Sequence, residues 1–165
     1  MLRLGLIQAL GRTSTFPNTS QDIPMNIPSL TGTDDNQIRQ LLVQWARATR
    51  EGRLDQVLEH HAPDVLIYDV LPPMKYESAA AYRCSWGNWQ PNTQGEGKFE
   101  LQDLSVVSSN DVAFAHCFIQ CGGLLPNGET FEDLVRATFC LQKADGAWKV
   151  THQHISKPFQ PGGGE

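Results

Sequence analysis

The order of helix-like and strand-like segments constrains the fold of this chain more than any other feature of its sequence. Segments with helical spacing or composition come first, at residues 35–51, 53–62 and 77–88, and the strand-like run DVLIYDV lies at residues 64–70. Four long strand-like runs follow, at residues 98–108, 111–124, 129–143 and 147–159. Helices that precede a series of antiparallel strands predict an α+β fold, in which a curved sheet packs helices on one face.

Turn signals separate the four long runs and indicate that neighbouring runs pair. They are Ser109-Asn110, Asn127-Gly128 and Asp145-Gly146. Asp-Gly between two runs rich in strand-forming residues is a strong hairpin signal, so the last two runs are predicted to form a closing β-hairpin.

Composition narrows the class of protein. The chain has 165 residues, enough for one domain with a sizeable core. Its formal net charge is -5 and it has no basic stripe, which excludes a surface that follows nucleic-acid phosphates. No apolar run reaches the length of a membrane span, so no membrane partner is expected. The four cysteines lack a C-x-x-C spacing and are predicted to be reduced, buried thiols, which favours the cytoplasm.

The first 32 residues differ from the rest of the chain. They contain Pro17, Pro24 and Pro28 and no acidic residue before Asp22, so they cannot sustain a long helix. Two interpretations are open, a targeting peptide and a plain extension. The predicted organisation is a flexible N-terminal arm at residues 1–32, one domain at residues 33–160 and a flexible tail at residues 161–165.

The closing hairpin carries several side chains that can bind a ligand or transfer a proton. Because side chains alternate along a strand, one face of its second strand is predicted to hold Trp148, Val150, His152, His154 and Ser156. The same rule places Arg136, Thr138 and Cys140 on one face of its first strand. We expect these polar groups to gather at one end of the sheet and to project into a cavity.

The run at residues 111–124 is largely apolar on both of its faces. One face would hold Ala115, Cys117 and Ile119, which together are too apolar to be left in water. The sheet is therefore expected to be covered on both sides, by helices on one and by a partner subunit on the other. This predicts a homodimer or a larger assembly.

Two alternatives concern the histidines. His152 and His154 could ligate a metal ion together with His116 or Asp69, but a histidine pair two residues apart is also common on hydrogen-bonded strand faces. A suitably spaced third ligand is missing from the sequence, so neither a metal nor a cofactor is predicted.

For Arg136 and for Trp45, the sequence leaves two interpretations open. Arg136 could form a salt bridge with Asp69 or Glu132, or it could hold an anionic or carbonyl ligand. Trp45 lies on the apolar stripe of the first helix and could belong to the core or to a pocket.

The motifs resemble a known family. The first helix ends in the pattern A-x-x-x-G-x-x-D at residues 48–55, the strand DVLIYDV leads into LPPMKYESAAAYR, and the chain closes with RATFCLQKADGAWKVTHQHISKP. Together they resemble the SnoaL-like proteins of the nuclear transport factor 2-like superfamily over residues 34–160. The resemblance implies a cone-shaped α+β barrel, also called cystatin-like, in which a curved antiparallel sheet wraps around N-terminal helices and encloses an apolar pocket.

Two relatives within that superfamily suggest different functions. The closing hairpin is similar to the association domain of calcium/calmodulin-dependent protein kinase, a non-catalytic assembly module. Ketosteroid isomerase shares the cone, and Asp69 resembles the aspartate base that ends its first strand. The places of its two acidic oxyanion donors hold Trp45 and Thr138 here, so steroid isomerisation is not expected.

The resemblance and the residue pattern together define a candidate site. Asp69 and His154 are the predicted catalytic residues, and the predicted ligand-binding residues are Trp45, Tyr76, His116, Arg136, Thr138 and His152. Two functions follow: ligand binding with proton transfer of the isomerase or lyase type, or a non-catalytic oligomerisation or ligand-binding module. An open cavity that both Asp69 and a histidine reach would favour the enzyme, and a closed Asp69–Arg136 pair would favour the module.

Overall fold

The computed structural model describes residues 33–89 and 94–159, so the predicted arm at residues 1–32 and the tail at residues 161–165 lie outside the described residues. Three helices are present: α1 (Thr33–Arg50), α2 (Leu54–Val57) and α3 (Ala79–Trp89). The strands are β1 (His61–Tyr68), β2 (Gln94–Ser109), β3 (Val112–Leu124), β4 (Thr130–Ala144) and β5 (Ala147–Ser156). The predicted order of elements and the α+β class are confirmed.

Helix α1 packs on the sheet because one of its faces is apolar. Ile38, Leu42 and Trp45 recur at helical spacing and are buried in the core. The beginning of the helix is tied to the closing hairpin by Asp34, whose carboxylate accepts hydrogen bonds from Lys143 Nζ at 2.7 Å and Trp148 Nε1 at 3.1 Å. These contacts fix the helix across the sheet.

The sheet is mixed and open. Its strand order is β1-β5-β4-β3-β2, and β1 runs parallel to β5 while the other pairs are antiparallel. The expected curved sheet packed on N-terminal helices is confirmed, although among the described strands it is mixed rather than antiparallel throughout and does not close. The cause is that β1 pairs with a strand far away in sequence, and a pair of that kind leaves no turn signal between its members.

Strand β1 begins earlier than predicted, and α2 is correspondingly shorter. The expected helix at residues 53–62 stops at Val57, and residues from His61 onward join the sheet. Val150 N–H donates to the carbonyl of His60 at 2.8 Å, which starts the pairing. Pro63 is tolerated because β1 is an edge strand, where a missing N–H need not break a ladder.

A one-residue bulge changes which hairpin residues face the core. Leu141 pairs with Val150 and Cys140 pairs with His152, which leaves Thr151 as an extra residue in β5. Beyond the bulge the buried residues are Gln153 and Ile155. The prediction that Trp148 and Val150 share a face with His152 and His154 is wrong, because the extra residue reverses the alternation.

We call the helix-covered side of the sheet the inner face and the opposite side the outer face. The inner face includes Ala115, Cys117, Ile119, Val135, Phe139, Gln153 and Ile155, all of which are buried. The outer face includes Phe114, His116, Phe118, Leu134, Arg136, Thr138, His152 and His154. Ala115, Cys117 and Ile119 are covered by this chain's own helices, so the expectation that a partner must cover them is wrong.

The four cysteines differ in how far their side chains are exposed. Cys117 is buried, Cys121 and Cys140 are partly exposed and Cys84 is exposed, and none of the four forms a disulfide. The expectation that all four are buried is therefore wrong, and Cys84 departs from it most because it lies on a solvent-facing part of α3.

Among the described residues, no helix is long and apolar enough to cross a membrane.

Candidate ligand cavity

The inner face and the helices enclose a cavity of about 310 Å³. Its wall is mainly apolar and aromatic, and includes Trp45, Trp86, Phe99, Ile119, Phe131, Val135 and Ile155. Helix α1 supplies Trp45, α3 supplies Trp86, and the long curved strands supply the rest. Its size and lining are those of a small-molecule site, in which a few polar groups fix the orientation of an apolar ligand.

Asp69 is a carboxylate in the wall of this cavity, and its side chain has hydrogen-bond partners on both oxygens. Tyr82 Oη donates a hydrogen bond to its Oδ2 at 2.9 Å, and the backbone N–H of Val70 donates to its Oδ1 at 2.7 Å. A carboxylate has about four lone-pair positions, so these bonds leave room to accept a further proton. The side chain is thus oriented by the protein and still able to act on a ligand.

Burial raises the pKa of Asp69 above the ordinary carboxyl value. The Tyr82 hydroxyl and the backbone N–H groups of Val70 and Leu71 work in the opposite direction, because they stabilise the charged form. Burial and the nearby Asp69 charge raise the pKa of Tyr82. Tyr82 therefore stays protonated and acts as a donor, while Asp69 is a stronger base than an exposed aspartate.

Aromatic packing holds Tyr82 in place. Its ring meets the ring of Tyr76 edge to face at 5.0 Å and the ring of Trp86 edge to face at 5.4 Å. Tyr76 is buried, and its backbone pairs with Ile67 through two hydrogen bonds of 2.9 Å. Tyr76 was predicted to bind ligand, and the structure places it behind Tyr82 as a support.

The structure brings only two of the predicted site residues together in the cavity, Asp69 and Trp45. The other predicted residues lie on the outer face of the sheet, apart from Tyr76, and are His116, Arg136, Thr138, His152 and His154. The expectation that the hairpin residues project into the cavity is therefore wrong. The bulge at Thr151 accounts for the two histidines, and Arg136 and Thr138 pair with Ser156 and His154 on that same face.

The ion pair between Asp69 and Arg136, one of the two alternatives for Arg136, does not form. The side chain of Asp69 is bonded to Tyr82 on the helical side, whereas Arg136 is exposed on the outer face. Glu132, the other predicted partner of Arg136, lies 3.6 Å from Lys98. The closed Asp69–Arg136 pair that would have favoured a non-catalytic module is thus absent.

Arg136→Ala is expected to change the free energy of unfolding by less than about 1 kcal/mol, because an exposed arginine contributes little to stability. It should also leave the pKa of Asp69 unchanged. Urea denaturation of the variant and of wild type measures the first effect. A loss of about 3 kcal/mol, the usual result of breaking a buried pair, would show that Arg136 belongs to a buried network.

His154 and Asp69 both line one groove on the outside of the protein. The segment at residues 69–75, which follows β1, forms a shallow groove with Tyr68 and His154, and Asp69 lines both this groove and the cavity. No histidine lines the cavity itself among the described residues. The segment at residues 69–75 therefore separates the cavity from the histidine side of the sheet.

Tyr82, which donates to Asp69, was not among the residues predicted from the sequence. Its signal was present, since Tyr82 and Trp86 are four residues apart and share a face of α3, whose other residues are mostly small. What the sequence did not show is the fold of residues 69–76, which carries Asp69 back to within hydrogen-bond distance of this helix.

The oxyanion site inferred from ketosteroid isomerase is only half preserved. Trp45 lines the cavity, but Thr138 lies on the opposite side of the sheet and cannot reach a ligand there. Tyr82 of α3 does not replace it, because its single O–H proton is donated to Asp69. Within residues 33–89 and 94–159, no cluster of three or more histidine, cysteine or acidic side chains could hold a metal ion.

The fold and the cavity define an α+β protein with a curved sheet, helices on one face and a pocket between them, as in the nuclear transport factor 2-like superfamily. The SnoaL-like domain family matches residues 38–160, and the chain belongs to this family. The predicted family and its fold are confirmed. A search of curated proteins found no match.

Three solved structures illustrate the range of relatives. A nuclear transport factor 2-like protein of unknown function from Pseudomonas putida is 29% identical, with a TM-score of 0.70 over 78% of this chain and 89% of that one. A proposed calcium/calmodulin dependent protein kinase II association domain from Xanthomonas campestris is 20% identical, with a TM-score of 0.63 over 76% and 86%. A ketosteroid isomerase-like protein from Erwinia carotovora is 14% identical, with a TM-score of 0.66 over 78% and 99%. The last two likenesses show the fold alone.

Proposed function

We propose that the protein binds an apolar small molecule in its cavity and that Asp69 transfers a proton to or from that molecule. One observation carries the proposal: a carboxylate whose pKa is raised by burial lies in an apolar cavity, held there by a tyrosine hydroxyl at 2.9 Å. Perturbed carboxyl groups in clefts are typical of acid–base sites. His154 and Arg136 have no part in this chemistry.

The proposed chemistry needs only one carboxylate. Asp69 removes a proton from a carbon next to an electron-withdrawing group of the ligand, and the electron pair of that C–H bond moves into the ligand. In an isomerisation the protonated Asp69 then returns the proton to a different carbon. In an elimination the electron pair instead expels a leaving group. The apolar wall excludes water, which keeps the carboxylate poorly solvated and basic.

Nitrobenzisoxazole is a suitable probe, because a carboxylate in an apolar site can remove its single acidic C–H proton and open the ring to a coloured phenolate. We expect Asp69→Asn to lower the rate at least about tenfold, to the level given by acetate in solution. Asp64→Asn is the matched control, since Asp64 is an exposed carboxylate on the strand that leads to Asp69. Equal rates for wild type and Asp69→Asn would contradict the proposed proton transfer.

The pH dependence of the reaction rate provides a second test of the proposed proton transfer. The rate should rise as Asp69 loses its proton and should reach its plateau at a higher pH than an ordinary carboxyl group would give, because the pKa of Asp69 is raised. Tyr82→Phe removes a hydrogen bond that stabilises the carboxylate, so it should raise the pKa of Asp69 further and move the profile to higher pH. A profile that does not move in Tyr82→Phe would show that this bond does not tune the base.

We also propose that the protein assembles with a second copy through the outer face of its sheet. Large apolar side chains are exposed there, including Val107 at 49%, Phe114 at 47%, Phe118 at 41% and Leu134 at 51%. Exposed apolar patches of this kind mark interaction sites. The fold likeness to a proposed kinase association domain agrees with this role. The cavity opens on the inner face, so assembly and ligand binding do not compete.

Phe118→Asp is expected to convert a dimer to a monomer in sedimentation velocity at micromolar concentration, because it would place a charge inside an apolar contact. Val43→Asp is the matched control, since Val43 is also an exposed apolar residue, at 55%, but lies on α1 away from the outer face. A monomeric wild-type protein, or a dimer that survives Phe118→Asp, would contradict this interface.

A further inference from the structure

We propose that residues 69–75, which we call the cover, open and close the cavity, and that the hydrogen bond between Asp69 and Tyr82 holds the cover closed. The cavity is the ligand site of the proposed function, on which this inference rests. The cover is then the route by which a ligand enters and leaves that site.

The cover is a thin partition between the cavity and solvent. Its first residues, Asp69, Val70 and Leu71, line the cavity on one side and the groove on the outside of the protein on the other. Val70 and Leu71 are apolar, yet they are 45% and 40% exposed. A single layer of side chains therefore separates the cavity from solvent at this place, so a small displacement of the cover would open it.

The two ends of the cover are pinned to each other. The backbone N–H of Ile67 donates to the carbonyl of Tyr76, and the N–H of Tyr76 donates to the carbonyl of Ile67, both at 2.9 Å. Ile67 and Tyr76 are buried. The chain between them is a compact surface loop with adjacent ends, a common form of functional loop. Because both ends are fixed in the core, the cover can lift without disturbing the sheet.

Between its ends the cover is weakly held. Residues 70–75 are all exposed, and among the described residues their backbone makes no hydrogen bond to the backbone of another element. The carbonyl of Pro72 accepts a long bond of 3.4 Å from the Tyr76 hydroxyl. Lys75 is bonded to Glu77, just beyond the end of the cover itself. Few buried contacts and a solvent-facing backbone are the features of segments that open at little cost in free energy.

One hydrogen bond joins the beginning of the cover to a helix. Tyr82 Oη of α3 donates to Asp69 Oδ2 at 2.9 Å. Tyr82 is buried, and its ring lies edge to face against both Tyr76 and Trp86, so it stays in place when the cover moves. A hydrogen bond to a carboxylate is charge-assisted and stronger than one between neutral groups. Loss of this single bond should therefore release the cover.

A closed cover also completes the proposed base. With the cover in place, Asp69 lies in the cavity wall and accepts the bond from Tyr82. An open cover would move Asp69 away from Tyr82 and let water reach the ligand, so the proton transfer would take place only in the closed state. Entry of the ligand and assembly of the base are thus controlled by the same segment.

The start of β4 is the competing place of entry. Phe131 and Asp133 line the cavity there and are partly exposed. Asp133 forms an ion pair with Lys157, which follows β5. The Asp133–Lys157 pair thus links the elements at this second place, as the Asp69–Tyr82 bond links the cover to α3. Removing each link in turn tests each entrance.

The test is stopped-flow fluorescence of the full chain with 1-aminoanthracene, a neutral apolar probe that emits more strongly in apolar surroundings. A cover that must open before the probe enters or leaves sets both rate constants, whereas a contact with the bound probe sets mainly the dissociation rate constant. Tyr82→Phe removes the bond to Asp69 and keeps the ring. We expect it to raise both rate constants about tenfold, the effect of losing one hydrogen bond to a charged group, and to change the dissociation constant less than about threefold.

Two control variants locate the effect. Lys157→Ala removes the link at the start of β4 and should keep the wild-type rate constants, because the probe does not enter there. Phe118→Asp should also keep them, since Phe118 lies on the outer face of the sheet and not in the cavity. A signal that is lost in Phe118→Asp would come from probe bound to the outer face.

The outcomes separate this inference from the function on which it rests. Wild-type rate constants in Tyr82→Phe, or a rise in its dissociation rate constant alone, would overturn the gating and leave ligand binding in the cavity intact. Faster binding and release in Lys157→Ala, with Tyr82→Phe unchanged, would place the entrance at β4 and also overturn it. A wild type that binds no probe, or binds it only on the outer face, would overturn the proposed function and this inference together.

Discussion

Trp45→Ala is expected to lower the free energy of unfolding by about 3–5 kcal/mol, the range found when a large buried aromatic side chain is removed. Trp45 is only 4% exposed. Its ring packs edge to face against Phe99 at 5.4 Å and against Phe139 at 5.1 Å, so it joins α1 to two strands of the inner face. Urea denaturation monitored by circular dichroism measures the loss.

Two variants make this result specific. Trp45→Phe keeps an aromatic ring between Phe99 and Phe139 and should lose clearly less stability than the alanine variant. Val43→Ala changes an exposed residue of the same helix and should stay within about 0.5 kcal/mol of wild type. A loss below about 1 kcal/mol for Trp45→Ala would mean that α1 is not held on the sheet by this side chain.

The elements themselves were predictable from the sequence because their signals are local. The apolar spacing of Ile38, Leu42 and Trp45 identified α1, and Asp145-Gly146 identified the hairpin between β4 and β5. The four long strand-like runs correspond to β2, β3, β4 and β5. Their order was sufficient to indicate the α+β class, and the motifs were sufficient to indicate the family.

The sequence could not predict which face of the sheet each side chain of β5 lies on, because this depends on a single bulged residue. Strict alternation in β5 would have aligned His152 and His154 with Trp148, and Thr151 interrupts it. Nothing in the sequence around Thr151 marks a bulge, since β-branched residues are ordinary strand formers. One extra residue was enough to move the two histidines from the inner face to the outer face.

The hydrogen bond between Asp69 and Tyr82 was also not predictable from the sequence. The position of Asp69 was identified from the end of a strand and from a resemblance, and the structure places it in the cavity. Tyr82 is 13 residues further along the chain, in a separate helix, and their hydrogen bond exists only because the loop between them folds back. Contacts of this kind are tertiary, so neither periodicity nor motif spacing reveals them.

The buried pair of His61 and Gln153 predicts that the protein loses stability in acid. His61 Nε2 donates a hydrogen bond to Gln153 Oε1 at 3.0 Å, because that oxygen can only accept. Gln153 is fully buried and His61 nearly so. His61 Nδ1 and Gln153 Nε2 have no hydrogen-bond partner among the described residues. A proton added to this site would therefore bring a positive charge into the core without a counter-charge.

Burial lowers the pKa of His61 to about 4, and the nearby charges of His60 and Lys149 act in the same direction, whereas the bond to Gln153 opposes them. In the unfolded chain the pKa of a histidine is about 6.5. As the pH falls from about 6.5 to about 4, the unfolded chain takes up a proton that the folded protein refuses, so stability decreases across this range. The difference amounts to about 3 kcal/mol.

We expect His61→Asn to remove this part of the acid sensitivity, because asparagine does not titrate. Urea denaturation of wild type and variant at about pH 7, 5.5 and 4 gives the two slopes. Carboxyl groups that also titrate in this range contribute equally to both proteins and cancel in the comparison. His116→Asn is the control and should retain the wild-type slope, since His116 is exposed and is not among the groups that act on His61. Identical pH dependence in wild type and His61→Asn would show that His61 is not held neutral in the core.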